Sequence, residues 1–180
     1  MKGFSFVLLR TKRDVTVIAI DVYFDYSFVR EVNKPHMEHI PKDSETLKIR
    51  GKQYFDLKQS KIKNHEEVFK DVLSNLRKLL EDNKGKEIIL MTHYVPHEDF
   101  VRYMDDFIWN TNNAFMGSKR FGELAEEYGV DKVIFGHTHT QYNKEINGVS
   151  YHCNPVGYGS FEYEGTFRDR VDKMLKIFEY

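Results

Sequence analysis

The 180-residue sequence holds a single cysteine, Cys153, so no disulfide can close within the chain and nothing in it calls for an oxidising compartment. An excess of either charge is missing as well. With 27 basic and 28 acidic residues the formal charge is -1, which argues against a basic nucleic-acid binder that works by phosphate neutralisation. Nucleic acid stays open only as a substrate. There is no run of about 20 apolar residues, which argues against a membrane-spanning helix. The apolar stretch at residues 4–9 is interrupted by Arg10, Lys12 and Arg13 and is too short for the core of a signal peptide, so cytoplasm is the expected location. Repeats, low-complexity tracts and interdomain linkers are also lacking, and residues 1–180 are read as one domain. What is present, 41% apolar residues, suffices for a core.

Residues 4–9 and 15–24 are rich in Val, Ile and Phe and are separated by the charged turn Thr11-Lys12-Arg13-Asp14, a pattern that predicts two adjacent antiparallel strands. Residues 26–59, broken by Pro35, Pro41 and Gly51, predict mostly loop with one short helix near 26–32. Residues 64–83 predict a helix. Val68, Phe69, Val72, Leu73, Leu76, Leu79 and Leu80 recur at three- and four-residue spacing, Asn64 and Glu67 have capping-box spacing, and Lys84-Gly85 supplies the stop. Residues 87–92 form a nearly continuous apolar run, the pattern of a strand buried on both faces, and deliver His93 to its C-terminal end. After a loop come a helix at 118–128 stopped by Gly129 and a second buried strand at 130–135. Asn147-Gly148, between 141–146 and 149–153, predicts a hairpin, and 171–178 a last strand. The order is that of an α/β protein.

Two strand–loop junctions end in histidine: Thr92-His93-Tyr94-Val95-Pro96 and Phe135-Gly136-His137-Thr138-His139. In α/β proteins ligands gather outside the carboxyl ends of parallel strands, so both junctions should open on one edge and bring three imidazoles together. Imidazole is a preferred donor to zinc, manganese and iron, and histidines two apart on a turn would more naturally face two neighbouring ions than share one. Gly136 is expected to let the backbone turn sharply and a metal or substrate come close. The competing reading is a set of ordinary hydrogen-bonded loop histidines.

The segment Met91-Thr92-His93-Tyr94-Val95-Pro96-His97, followed by Val133-Ile134-Phe135-Gly136-His137-Thr138-His139, resembles the last two motifs of calcineurin-like metallophosphoesterases. Asn113-Ala114-Phe115-Met116-Gly117-Ser118, Asn154-Pro155-Val156-Gly157-Tyr158 and Asp25-Tyr26-Ser27-Phe28 are similar to connecting segments of the same family, so the likeness covers most of the chain. It implies an α/β fold, part of a β-sandwich flanked by helices. It implies a site for two divalent ions, with manganese, iron or zinc the expected metals, in which His93 and His137 bind the second metal and His139 the first. The activity it implies is hydrolysis of a phosphomonoester or phosphodiester by in-line attack of a hydroxide bridging the two ions.

The family's other motifs, an Asp-x-His, a Gly-Asp-x-x-Asp and a Gly-Asn-His-Asp/Glu, do not occur in the 180 residues. Three neutral imidazoles bring no negative charge to two dications. The expectation is therefore an N-terminally incomplete domain, inactive or impaired alone and partnered by a complementary N-terminal fragment or by itself. A non-catalytic binding or scaffold protein built on this fold is the alternative. A sheet missing part of its strands is also expected to leave the strand at 87–92 with unpaired backbone and exposed apolar side chains. Other residues read as structural: His36 and His39 in an exposed loop, His97 and His152 near the surface, and Cys153 as a small buried hydrophobe. Glu98, Asp99, Asp105 and Asp106 read as a solvated loop, and Tyr142, Tyr158, Phe161 and Tyr163 as packing aromatics.

Overall fold

In the computed structural model, which describes residues 6–10, 14–20, 24–34, 48–49, 52–53, 65–157 and 165–175, the N-terminal apolar runs form β1 (Phe6–Arg10) and β2 (Thr16–Ile20). They pair antiparallel, as the sequence predicts, with Leu8 opposite Ile18. The second strand is shorter than the apolar run, and Phe24 beyond it packs as a fully buried ring edge-on to Phe115. Two short strands, β3 (Lys48–Ile49) and β4 (Lys52–Gln53), pair antiparallel in the segment whose sequence predicts loop. In place of a helix over 26–32 there is a turn closed by Val29 N–H on the Tyr26 carbonyl and a 3-10 turn at Glu31–Asn33.

The predicted helix is α1 (His65–Asp82), which buries Phe69, Val72, Leu76 and Leu80. Each of these side chains contributes about 2 kcal/mol of transfer free energy. The cap proposed at Asn64 lies outside the described residues. The apolar run at 87–92 is β5 (Ile88–Thr92). The stretch between β5 and the next predicted helix is more ordered than a loop: a 3-10 turn at Glu98–Phe100, α2 (Phe107–Asn112) and a 3-10 turn at Asn113–Phe115. Helix α3 (Lys119–Glu127) follows, capped by Ser118, whose hydroxyl accepts the Arg120 N–H, and ended by Gly129 at φ 62°. Then come β6 (Lys132–Ile134), β7 (Tyr142–Ile146) and β8 (Val149–Cys153). Asn147 and Gly148 both have positive φ, 48° and 82°, as a two-residue hairpin turn requires.

These strands form one six-stranded mixed sheet in the order β1-β2-β5-β6-β8-β7, with β2, β5, β6 and β8 parallel in sequence. The first face, carrying Ile18, Ile20, Ile88, Leu90, Val133 and Tyr151, packs on α1 and α3 to form the core. Strand β5 is paired on both sides, by β2 and by β6, so the expectation that it would lack partners is wrong. Among the described residues of the sheet, the large exposed apolar side chains lie on the edge strand β1 or on the second face: Leu8, Leu9 at 57% exposure, and Met91 at 38%.

A second correction concerns the C-terminal region. The predicted strand at 171–178 is, where described, helix α4 (Phe167–Met174). Thr166 and Asp169 make a complete capping box, and Val171, Met174 and Leu175 have helical spacing, a signal that the strand reading overlooked. Helix α4 stands against the second face at Ile134 and His152 with a cavity of about 310 Å³ between them.

The loop after β5 is held to the segment before α3 by a parallel bridge. Val95 N–H donates to the Met116 carbonyl at 2.9 Å and Ser118 N–H to the Val95 carbonyl at 3.1 Å. A Cβ on Gly117, which has φ 148°, would lie 2.2 Å from the Val95 carbonyl oxygen. That contact is with backbone, which cannot step aside. Gly117→Ala should therefore cost roughly 3 kcal/mol or more in urea unfolding, against about 1 kcal/mol for Gly85→Ala, whose Cβ meets nothing within 4 Å. Equal losses in the two variants would mean that the Val95–Gly117 bridge is not formed.

Candidate metal centre

Because β5 and β6 run parallel with Met91 opposite Ile134, the residues that follow them leave the sheet at the same edge. The pairing continues one step beyond the strands, where Gly136 N–H donates to the His93 carbonyl at 3.0 Å. His137 Nδ1 then lies 3.2 Å from His93 Nε2, with the two rings nearly perpendicular at 85°. The structure thus brings His93 and His137 together.

His139 is exposed, and its closeness acts on His137 through charge. Among the described residues no group of three or more His, Cys, Asp or Glu side chains gathers around a common point. His36 and His39 lie outside the described residues. His97 is half-buried, and its Nδ1 accepts the Asp99 N–H at 3.1 Å. Half-buried His152 faces Asn143 Oδ1 at 2.9 Å. The acidic loop is exposed, as its sequence predicts, with Glu98 paired to Lys119 and Asp99 to Lys144. Tyr142 packs on Phe100 and Phe135, while Tyr158, Phe161 and Tyr163 lie outside the described residues. The part-buried carboxylate of Asp25 accepts the Ser27 N–H at 3.0 Å and the Ser118 hydroxyl at 2.8 Å, which docks its loop on the start of α3.

The sharp turn expected at Gly136 falls one residue later. His137 has φ 66°, and Thr138 N–H closes on the Gly136 carbonyl at 2.8 Å, the geometry of a γ-turn with positive φ, which is rare and strained. A Cβ on Gly136 would stand 3.4 Å from the His93 ring and its carbonyl, an ordinary van der Waals contact that does not by itself require glycine. The turn is tied down by Phe135 N–H on the His152 carbonyl at 2.9 Å and by the Cys153 thiol on the Thr138 carbonyl at 3.7 Å. Cys153 is buried, and burial raises its thiol to about 11.

The His137 imidazole is pushed down to about 4, first by burial and then by the neighbouring His93 and His139. A hydrogen bond to the Phe115 backbone opposes this shift and is made by a ring N–H. The neutral ring keeps one nitrogen lone pair, and Nδ1 is the nitrogen that faces His93. An imidazole whose second nitrogen is held by a carbonyl is the usual support of a metal ligand. Two nitrogens that each sit about 2.0–2.1 Å from one ion are about 2.9 Å apart at a right angle and about 3.4 Å apart at the tetrahedral angle. The observed 3.2 Å falls between them, so this pair fits two positions on a single ion. The described residues offer no carboxylate for a second ion. Sequence reasoning missed Tyr94, Phe115 and Gly117 as supports of the pair; Gly117 within the segment before α3 was the available signal.

Residues 16–141 match the sequence profile of calcineurin-like phosphoesterases. The chain belongs to the calcineurin-like phosphoesterase family, which is generally dependent on a dinuclear metal centre. Among solved structures it is similar to a phosphopantetheinyl hydrolase from Mycobacterium tuberculosis, at 15% identity and a TM-score of 0.55 over 87% of this chain. The match covers 54% of that protein, so the chain spans about half its length. A fainter likeness, 14% identity and a TM-score of 0.41 over 85% of this chain and 38% of the other, is to GAP50, the anchor in the inner membrane complex of Plasmodium. No curated protein sequence matches the chain. Among the described residues no helix is long and apolar enough to cross a membrane.

The depressed His137 imidazole has a consequence for the metal-free protein. As pH falls from 6.5 toward 4 the unfolded chain takes up a proton on this ring that the folded chain refuses, so stability present above pH 6.5 is lost across that window. The loss attributable to this ring is roughly 3 kcal/mol. Urea unfolding at steps from pH 7 to pH 4 should show a shallower decline in His137→Asn, which keeps a residue tolerant of positive φ. Parallel declines in the two proteins would show that His137 is not buried as described.

Proposed function

We propose that this chain provides the histidine side of a metal-dependent phosphoesterase centre, in which His93 and His137 hold one divalent ion and His139 faces a second. The substrate is a phosphomonoester or phosphodiester, the class on which the family acts. The observation that carries the reading is the 3.2 Å approach of His137 Nδ1 to His93 Nε2 at the ends of adjacent parallel strands. Imidazole donors favour zinc, manganese or iron over magnesium. A held dication supplies Lewis acidity toward a phosphoryl oxygen and lowers the pKa of water. The chain's own residues prepare for this. His137 stays neutral at physiological pH and so keeps a lone pair, and the Phe115 backbone orients its ring.

Three neutral imidazoles leave the charge of two dications unbalanced, and the 180 residues contain none of the family's three carboxylate-bearing motifs. The reading therefore assigns the carboxylates to a complementary N-terminal polypeptide, and the chain alone is impaired. That no Asp or Glu among the described residues joins the histidine pair also favours a second reading, a binding or scaffold protein that uses the fold as a surface.

Zinc titration calorimetry on the metal-stripped chain separates the two. One weak site, weakened at least tenfold by His93→Ala and by His137→Ala, is expected, together with manganese-dependent hydrolysis of a chromogenic phosphodiester no faster than that of His137→Ala. Absence of zinc heat would remove the ligand pair and leave the scaffold reading. Histidine-dependent turnover by the isolated chain would overturn the incomplete centre.

A further inference from the structure

Tyr94 follows directly on an exposed histidine, yet it is only 3% exposed. Its ring lies 4.6 Å from the His137 ring at an interplanar angle of 32°, so the two nearly stack, and 5.3 Å from the His93 ring at 81°, an edge contact. One side chain therefore lies against both imidazoles, tilted over one and edge-on to the other. This matters because the outer torsion of a histidine has a broad well, so nothing intrinsic fixes the direction of its nitrogens. A flat neighbour against the ring limits that rotation, while a flexible one does not.

Tyr94 is itself held. Phe24 packs on it at 6.2 Å, Phe115 packs on Phe24 at 5.0 Å, and the next residue, Val95, is clamped by the bridge to Gly117. The path from the buried aromatic group to the two imidazoles is thus continuous, and Tyr94 is the only step in it that reaches both rings among the ring contacts described. The hydrogen bond of His137 to Phe115 fixes one nitrogen of one ring, whereas the perpendicular setting of the pair needs a contact common to both.

The geometry points to Tyr94 as a positioning residue: its ring sets the mutual orientation of His93 and His137, and through it the affinity and coordination angle of the ion they hold. This inference rests on the proposed ligand pair. It assigns the effect to the flat ring and none to the hydroxyl, so Tyr94→Phe should behave as the unaltered chain. Removing a supporting contact of this kind lowers metal affinity about tenfold to a hundredfold.

The test uses the full chain and its Tyr94→Phe, Tyr94→Leu and Tyr94→Met variants. Zinc affinity is read by calorimetry, coordination by the visible spectrum of bound cobalt(II), and ring orientation in the metal-free protein by nuclear Overhauser contacts between the two imidazoles. Tyr94→Phe should keep the affinity, the cobalt bands and the inter-imidazole contact. Tyr94→Leu and Tyr94→Met should bind zinc at least tenfold more weakly, shift the cobalt bands and lose that contact. Tyr94→Met, with a side chain that adapts to irregular space, carries the test if the leucine variant does not fold. Should both flexible variants match the unaltered chain in affinity, spectrum and contact, the inference is overturned. If the unaltered chain binds no zinc, the ligand pair fails instead, and the imidazole contact in the metal-free variants still decides the role of Tyr94.

Discussion

When parallel strands pair in register their chains leave the sheet side by side, and in this protein the pairing of β5 with β6 is carried past the strands by the bond from Gly136 N–H to the His93 carbonyl. That one backbone contact fixes the separation of the two loops before any side chain is placed. A one-residue slip would exchange the two faces of β6, sending Val133 out of the core and Ile134 into it. The core contacts of Val133 with the α1 and α3 side therefore protect the site as well as the fold.

Close to the site the structure holds the chain in conformations that would not persist alone. A positive φ at His137 costs roughly 1–2 kcal/mol, and the Gly117 segment approaches Val95 so closely that only hydrogen fits. Backbone hydrogen bonds hold both, and Tyr94, itself packed on Phe24, lies against the His137 ring. Tyr94 covers one side of the His137 ring, whose burial is the main reason it stays neutral.

Much of this was legible in the sequence because it rests on local patterns. The apolar period of residues 64–83, the run at 87–92, the Asn-Gly hairpin and the Gly129 stop each specify an element without help from distant residues. The two histidine junctions could be placed on one edge from the parallel order alone. What was not legible depends on packing between segments. Nothing in the composition of residues 97–117 says that they wrap the His93 loop, and the need for Gly117 appears only when Val95 is laid against it. The strand read at 171–178 failed for a different reason. Its apolar residues suit either period, and the deciding capping box, Thr166 with Asp169, lies upstream of the run itself.

The burial of the lone cysteine gives the protein a built-in reporter. Cys153 is sealed beneath the turn that carries His137, donates to the Thr138 carbonyl and resists ionisation, so a thiol reagent cannot attack it in the closed state. Its labelling rate in native buffer is then set by how often that turn lifts off the sheet, with no second thiol in the chain to confuse the signal. The opening free energy of the histidine loop can be read as chemical kinetics on the unaltered sequence, with and without an added ion, and compared with the free energy of global unfolding.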